Sequence, residues 1–376
     1  MFNQRGTIQM DSKDIIGENL KRRRLILGLD QSQLAEIADI SRMAYVKIEA
    51  GKSMPQEETL DRLSKALHIS VFELFEKAEK PEAVLFRTRQ TQTAREIACQ
   101  SQTIQDAYGW LKNYTFLMDA AGRRVHGGGI VDFQRKPSES IRDFALSVRK
   151  SVLAKCHEAS LNDLPGVLES LGVKLLFTQF LTNKCFGFSF GIKDGGPAIV
   201  VNTGFGIPAE RQLFTLVHEL GHLLLHKSAY ASDAGEENAN QEKEADEFAA
   251  EFLMPHEAFK NAWEAREGML WFDRILAVKQ IFKVSYKTVL HRLQEGGSKK
   301  PVHVWFKNSY ERRFGRELLQ TIEPCPSQIV FAPGGYLSLA REAFFKGEIS
   351  ESKLAELLGI SLLGARQHVI DWSRSA

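Results

Sequence analysis

Apolar positions recur along this chain mostly at helical spacing, except in one central stretch where they alternate or run together. Residues 14–76 open the helical part. Ile15, Ile16, Leu20 and Leu25 line one side of a helix over 14–27, which Gly28 ends. Asp30 caps a second helix over 31–38, with Leu34, Ile37 and Ala38 inward. A tight turn at Ile40-Ser41 leads to a third helix over 42–50, capped by Ser41 and stopped by Gly51. Stretches 59–67 and 71–75 close that core. Residues 77–137 read as a helical connector, weakly periodic over 97–117 and broken by Gly127-Gly128-Gly129.

From residue 138 the pattern sharpens. Helices are expected over 141–156 and 163–171, and a strand over 173–177. A hairpin of 186–192 and 198–202 follows, across Lys193-Asp194-Gly195-Gly196-Pro197. Helical spacing then returns, through 270–294 and, past the linker Gly296-Gly297-Ser298-Lys299-Lys300-Pro301, to the end of the chain. There Leu354-Ala355-Glu356-Leu357-Leu358-Gly359-Ile360-Ser361 echoes Leu34-Ala35-Glu36-Ile37-Ala38-Asp39-Ile40-Ser41, and so predicts a second helix-turn-helix-like pair carrying Arg366, Gln367 and His368. The fold class is mainly α with a small β-sheet (α+β). Its expected parts are 14–76, 77–137, 138–295 and a helical C-terminal region, 302–376.

Chemistry concentrates in Val217-His218-Glu219-Leu220-Gly221-His222-Leu223-Leu224-Leu225-His226. His218 and His222 are four apart and share one helix face, where two imidazoles can bind one Zn²⁺ with Glu219 as the general base. The run Glu242-Lys243-Glu244-Ala245-Asp246-Glu247-Phe248-Ala249 is a second helix in which Glu242 and Asp246, i and i+4, face the first. Glu242 completes a His₂Glu site, and Asp246 holds the free ring nitrogen of a ligating histidine. Glu244, two residues from Glu242, faces away from the metal. His226 belongs at the helix end, capping carbonyls or lining the cleft. A three-histidine site would need its last histidine at Ser228 and is excluded. A donor to the oxyanion is expected from His226 or Tyr230. A small sheet beside such a helix offers an edge strand along which an extended peptide can lie.

Composition limits the alternatives. A hydrophobic content of 43% and a charged content of 26% are ordinary for a globular protein. The net charge of +2 gives no strong general pull toward nucleic acid, so DNA binding must come from a local surface. Cys99, Cys156, Cys185 and Cys325 are scattered without a C-x-x-C pair, which suits a reducing cytosol. The polar N-terminus and the absence of a long apolar run predict a cytoplasmic chain with no membrane partner.

Two resemblances follow from these motifs. The stretch "IGENLKRRRLILGLDQSQLAEIADISRMAYVKIEAGKSMPQEETLDRLSKALHISVFELF" closely resembles the lambda-repressor-like (XRE) helix-turn-helix domain. The resemblance implies double-stranded DNA as partner of 14–76. It places Arg42, Met43, Tyr45 and Val46 toward the major groove, Gln31 at a phosphate, and Lys47 and Lys52 near the backbone. It also allows a homodimer reading paired half-sites. Residues 138–295 resemble the ImmA/IrrE family of metallopeptidases through Ala198-Ile199-Val200-Val201-Asn202, the His218 segment and the Glu242 segment ending at Pro255; Val217 stands where that family usually has alanine. This resemblance implies a zincin-like metallopeptidase domain, Zn²⁺ as cofactor, and cleavage of a partner repressor, itself a helix-turn-helix protein, that controls stress-response or mobile-element genes. The alternative expectation is an XRE-family regulator whose metallopeptidase fold acts as a sensor or contact domain without proteolysis.

Overall fold

The computed structural model describes residues 11–79, 81, 84–86, 92–123, 129–155, 161–231, 239–296, 301–319 and 322–374. Cys156, Gly127-Gly128, residues 87–91 and the linker residues 297–300 lie outside the described residues. The chain divides into two compact units, one holding 1–80, 89–108 and 180–182, the other 81–88, 109–179 and 183–376.

The first unit is all helical: α1 (Ser12–Leu27), α2 (Gln31–Ile37), α3 (Arg42–Glu49), α4 (Glu57–Leu67) and α5 (Val71–Phe75). Its punctuation follows the sequence closely. Gly28 takes φ +74°, a left-handed geometry open to glycine at little cost, and its N–H bonds back to the last turn of α1. Asp30 accepts from the N–H groups of Ser32 and Gln33 while the Gln33 side chain accepts from the Asp30 N–H, a capping box. Ser41 Oγ accepts from the Ala44 N–H at the start of α3. Ile16, Leu20, Leu34, Leu63, Leu67 and Leu74 form the core. Ile37, expected inside, is exposed, because the seven-residue α2 buries only the narrow stripe Leu34, Ala35 and Ala38.

The second unit begins with a strand that the sequence pattern does not announce: β1 (Val84–Phe86), inside the stretch expected to be helical. Helix α6 (Ala94–Ala120) starts in the first unit and contributes its second half to this one. Then come α7 (Ile141–Leu153), α8 (Leu164–Ser170), β2 (Lys174–Thr178), β3 (Gly187–Phe190), β4 (Ala198–Asn202), α9 (Ala209–Leu225), α10 (Ala239–Leu253), α11 (His256–Glu264), α12 (Trp271–Phe282), α13 (Tyr286–Glu295) and α14 (Val302–Phe314), and finally α15 (Gly335–Phe345), α16 (Glu351–Leu358) and α17 (Leu362–Arg374). The sheet order is β1-β3-β4-β2, with β2 and β4 parallel and the other pairs antiparallel. β4 is buried along its whole length, as its unbroken apolar sequence requires.

Helix α9 packs on β3 and β4 on one side and on α10 on the other, and one large core joins them to α12–α14. Two buried cations brace this assembly. Lys279 Nζ bonds Glu210 Oε1 in the first turn of α9 at 2.9 Å and the Pro324 and Cys325 carbonyls, each at 2.9 Å. Arg292 donates to the Met254 carbonyl at 2.8 Å and to Glu251 at 3.1 Å, capping the end of α10. The echo at the C-terminus does form a helix pair, α16 and α17, which packs with α15 against the second half of α6. Its Arg366 bonds Glu351, its Gln367 bonds Asp371, and its His368 ring lies by Trp372.

Candidate functional site

Helices α9 and α10 lie close enough to share ligands because Gly221 has no side chain. A Cβ there would come within 3.1 Å of the Phe248 ring and 3.4 Å of the Ala245 backbone. The helices bring three donor atoms together. His218 Nε2 and His222 Nε2 are 3.0 Å apart, His222 Nε2 is 3.0 Å from Glu242 Oε1, and His218 Nε2 is 3.5 Å from Glu242 Oε2. All three side chains are buried and together form a candidate metal cluster. An ion bound tetrahedrally at about 2.0–2.1 Å sets ligand atoms about 3.3 Å apart, so these separations suit a zinc-sized ion.

The outward nitrogens say what the inward ones carry. His218 Nδ1 stands 3.0 Å from Asp246 Oδ1, so its proton belongs on Nδ1 and its Nε2 presents a lone pair. His222 Nδ1 lies 3.0 Å from His226 Nδ1, and His226 Nε2 lies 2.8 Å from Glu244 Oε2. With the Glu244 carboxylate taking the His226 Nε2 proton, His222 donates from Nδ1 and its Nε2 is also a lone pair. Once both inward nitrogens are free of protons, two lone pairs and a carboxylate converge; without a cation, a proton held among them does the same work. Such a donor set calls for a cation. Burial favours neutral imidazole, yet Asp246 and Glu242 raise the His218 pKa above its ordinary value. Burial likewise opposes ionisation of Glu242, but the two imidazoles hold its carboxyl far below the usual carboxylate range.

One expectation changes here, and another gains a role. His226 neither caps carbonyls nor faces the cleft: it stands behind His222 as its hydrogen-bond partner. Glu244 does face away from the donor set, and in doing so anchors His226. The sequence signal was present in the i, i+4, i+8 series His218, His222, His226, but histidine spacing alone cannot distinguish a ligand from the ligand's support.

Glu219 is held from the sheet. Ser189 Oγ on β3 donates to Glu219 Oε2 at 2.6 Å and lies 2.8 Å from the Tyr230 hydroxyl. Gly187 lets β3 run against α9 here, since a Cβ would meet Thr215 Cγ2 at 2.4 Å. Burial, and then the Glu219 charge, push the Cys185 thiol up to about 12, so it is inert as a nucleophile. Ser189 was invisible in the sequence, because nothing distinguishes one serine in a strand until the strand is placed. Tyr230 is fully enclosed, and burial and then the Glu219 charge raise its pKa well above the ordinary value, which keeps it a neutral donor.

On the helix-turn-helix unit, Arg42, Met43 and Lys47 are exposed and Val46 is half-buried, a surface that can meet a partner. Tyr45 is not part of it. Tyr45 and Ile48, three residues apart, are the inward stripe of α3, and the tyrosine is buried in the core. Gln31 is also engaged inside: its side-chain amide donates to Glu49 Oε1 at 3.2 Å. That carboxylate is gripped by Arg24 in two bonds, Nε–Oε2 at 2.9 Å and Nη2–Oε1 at 2.7 Å, a buried fork that ties α1 to α3.

Residues 168–294 match the family model of the IrrE N-terminal-like domain, Peptidase_M78, and residues 20–74 match a helix-turn-helix model. The helix-turn-helix segment is 39% identical over 56 residues to the SPbeta prophage-derived uncharacterized HTH-type transcriptional regulator YonR of Bacillus subtilis (strain 168), covering 15% of this chain and 52% of that protein. The chain thus spans about half the length of this curated relative. Two solved structures align along the chain. One is Bacillus thuringiensis PlcR in complex with the peptide PapR7 and DNA, at 11% identity and a TM-score of 0.18 over 92% of this chain and 91% of that one. The other is the apo form of the competence regulator ComR from Streptococcus vestibularis, at 14% and 0.17 over 92% and 96%. Scores this low carry no argument about fold or function. The chain thus carries two recognisable segments, residues 20–74 matching a helix-turn-helix domain and residues 168–294 matching the IrrE N-terminal-like domain.

Proposed function

We propose that this protein is a zinc-dependent metallo-endopeptidase with a DNA-binding domain, which cleaves a partner helix-turn-helix repressor and so controls stress-response or mobile-element genes. The observation that carries this reading is the converging donor set of His218, His222 and Glu242 with Glu219 beside it. His218, His222 and Glu242 would hold a zinc ion, which would supply Lewis acidity toward a water and a scissile carbonyl. Glu219 takes the proton of the attacking water and passes it to the leaving amine. Ser189 fixes one oxygen of the Glu219 carboxylate and leaves the other for that proton. Asp246 and His226 keep the ligand nitrogens aimed inward. Arg42, with Met43, Val46 and Lys47, offers DNA a surface on α3, and two copies of the chain would read paired half-sites.

The deciding experiment compares newly generated protein N-termini in cells carrying wild type or Glu219→Gln, with and without DNA damage. Termini present only with wild type, from a helix-turn-helix repressor, support the reading. If no terminus depends on Glu219 under either condition, the protein is instead an XRE regulator whose second unit is a sensor or contact domain.

A further inference from the structure

A half-open cavity of about 150 Å³ lies beside the turn of α9 that follows Glu219. Leu223, four residues past Glu219 and so on the same side of the helix, lines it. Gly191, Ile192 and Lys193 reach it from the end of β3, and Pro197 from the start of β4. Lys227 and Tyr230 come from the short 3-10 turn Lys227–Ala231 that follows His226. Neither Glu219 nor any of the metal donors His218, His222 and Glu242 lines it.

Two features distinguish this cavity from a packing gap. The first is its rim. Ile192 is 64% exposed, and Lys193 and Lys227 are exposed as well, so the lysine stems line the opening while their ammonium groups stand toward solvent. Lys227 Nζ donates to the Phe133 carbonyl at 3.1 Å; burial lowers its pKa, and the nearby Asp132 charge opposes that shift. The second is the wall made by Tyr230. Gly191 admits the tyrosine, since a Cβ there would lie 2.5 Å from Tyr230 Cβ. Ser189 Oγ has one proton and gives it to Glu219, so the 2.8 Å contact with Tyr230 is a donation by the tyrosine hydroxyl. This wall of the cavity is therefore two hydrogen bonds from Glu219.

We propose that the cavity binds a small monocarboxylate with an apolar body of about six carbons, and that its occupant acts on Glu219 through Tyr230 and Ser189. Apolar walls enclosing about this volume hold a six-carbon ring. The carboxylate stays at the lysine rim, where an anion keeps its water and gains charge-assisted hydrogen bonds. A single negative charge suits a rim at which Asp132 already offsets part of the lysine charge. An occupant packed on the Tyr230 ring shifts the hydroxyl that holds Ser189, and with it the aim of the Glu219 carboxylate. Only that effect on turnover rests on reading the centre as a peptidase; the binding does not.

The test titrates the full-length zinc-loaded protein with hexanoate, hexanol and hexylamine, following the methyl resonances of Ile192 and Leu223 and the amide resonance of Ser189. Hexanoate should bind saturably, move all three signals, and bind about tenfold tighter or more than the neutral or the cationic probe. Ile192→Trp, at an exposed position of the rim, should fill the opening and abolish the shift at Leu223. Lys193→Glu should weaken hexanoate about tenfold and turn the preference toward hexylamine. In Tyr230→Phe, hexanoate should still move Leu223 but no longer move Ser189. Absence of saturable binding, equal binding of the three probes, or hexanoate binding that survives both rim variants unchanged overturns the site. A Ser189 shift as large in Tyr230→Phe as in wild type overturns the route to Glu219. Glu219→Gln should bind hexanoate as wild type does, so the site can stand in a protein that cleaves nothing, and its failure leaves the peptidase reading untouched.

Discussion

Each unit buries a cluster of charged side chains, and the two clusters are resolved in opposite ways. In the helix-turn-helix unit Arg24 meets Glu49 in a two-bond fork, Gln31 adds a third contact, and the Arg24 side chain also donates to the Leu29 carbonyl at 2.8 Å. Each charge meets its opposite within the protein, so the cluster is closed. In the IrrE-like domain the outward atoms of His218 and His222 are likewise matched, by Asp246 and His226. Their inward atoms meet one another and Glu242 at 3.0–3.5 Å, and with neither a proton nor a cation between them acceptor would meet acceptor. Buried polar groups are costly unless paired. A cluster that pairs itself on its outer side and leaves lone pairs converging on its inner side has been arranged around something the chain does not supply. Burial and charge alone do not separate a structural network from a binding site. The match of donors to acceptors does.

The strongest test of closure is to break it. Arg24→Met should destabilise the helix-turn-helix unit by about 3–5 kcal/mol, since it strands the buried Glu49 carboxylate. Arg24→Met/Glu49→Leu should recover most of that loss, because removing both charges leaves neither unpaired. Chemical denaturation read by an amide signal within residues 12–75 measures both. A double variant as unstable as the single would show that the fork itself, rather than its unmatched remainder, carries the stability. Closure also predicts which polar residues are free to read DNA. Arg42→Ala should cost about 1–3 kcal/mol of specific binding, as loss of a base-reading arginine does. Gln31→Ala should cost much less, its amide being already engaged by Glu49. Equal losses on an operator titration would put Gln31 at the DNA and undo that distinction.

The open cluster is tested through its supports. His226→Ala should weaken zinc binding by about 10–100-fold, the usual cost of removing a ligand's hydrogen-bond partner. Competition against a chelating dye reads the affinity, and His226→Gln, which keeps a polar partner, should recover part of it. Unchanged affinity in His226→Ala would mean that the His222 tautomer is set without it, and the inward lone pair would lose its support.

Legibility from sequence followed the range of the interaction. Capping residues such as Asp30, Ser41 and Gly28 act on atoms within a few positions, and the sequence located each of them. The converging donors His218, His222 and Glu242 were legible because helical spacing fixes a shared face. Features that depend on packing between distant segments were not. Ser189 becomes the partner of Glu219 only when β3 crosses α9, and the described residues of β1, 84–86, pair with a strand a hundred positions later and carry no pattern of their own. Tyr45 shows the converse: the family resemblance placed it on the DNA side, while the spacing of Tyr45 and Ile48 within α3 turns both inward. Lys279 and Arg292 read as surface charges in any sequence pattern, and only the carbonyls and carboxylates gathered around them make their burial affordable.

The smallest expected effect is a pH dependence, and it sharpens the description of the closed cluster. Burial opposes ionisation of Glu49, but Arg24 first, then Tyr45 and Gln31, bring its folded pKa below the ordinary 4.5. The folded state therefore binds this proton more weakly than the unfolded chain does. A depressed carboxylate contributes stability that is present in full above its unfolded value and is lost as pH falls through the folded one. The stability difference between wild type and Glu49→Gln in the helix-turn-helix unit should accordingly be constant near neutrality and shrink below pH 4.5. A difference that stays flat on acidification would mean the carboxylate has the same affinity for its proton folded and unfolded. The fork with Arg24 would then be a matter of geometry with no electrostatic preference, and the closed cluster would owe its stability to packing alone.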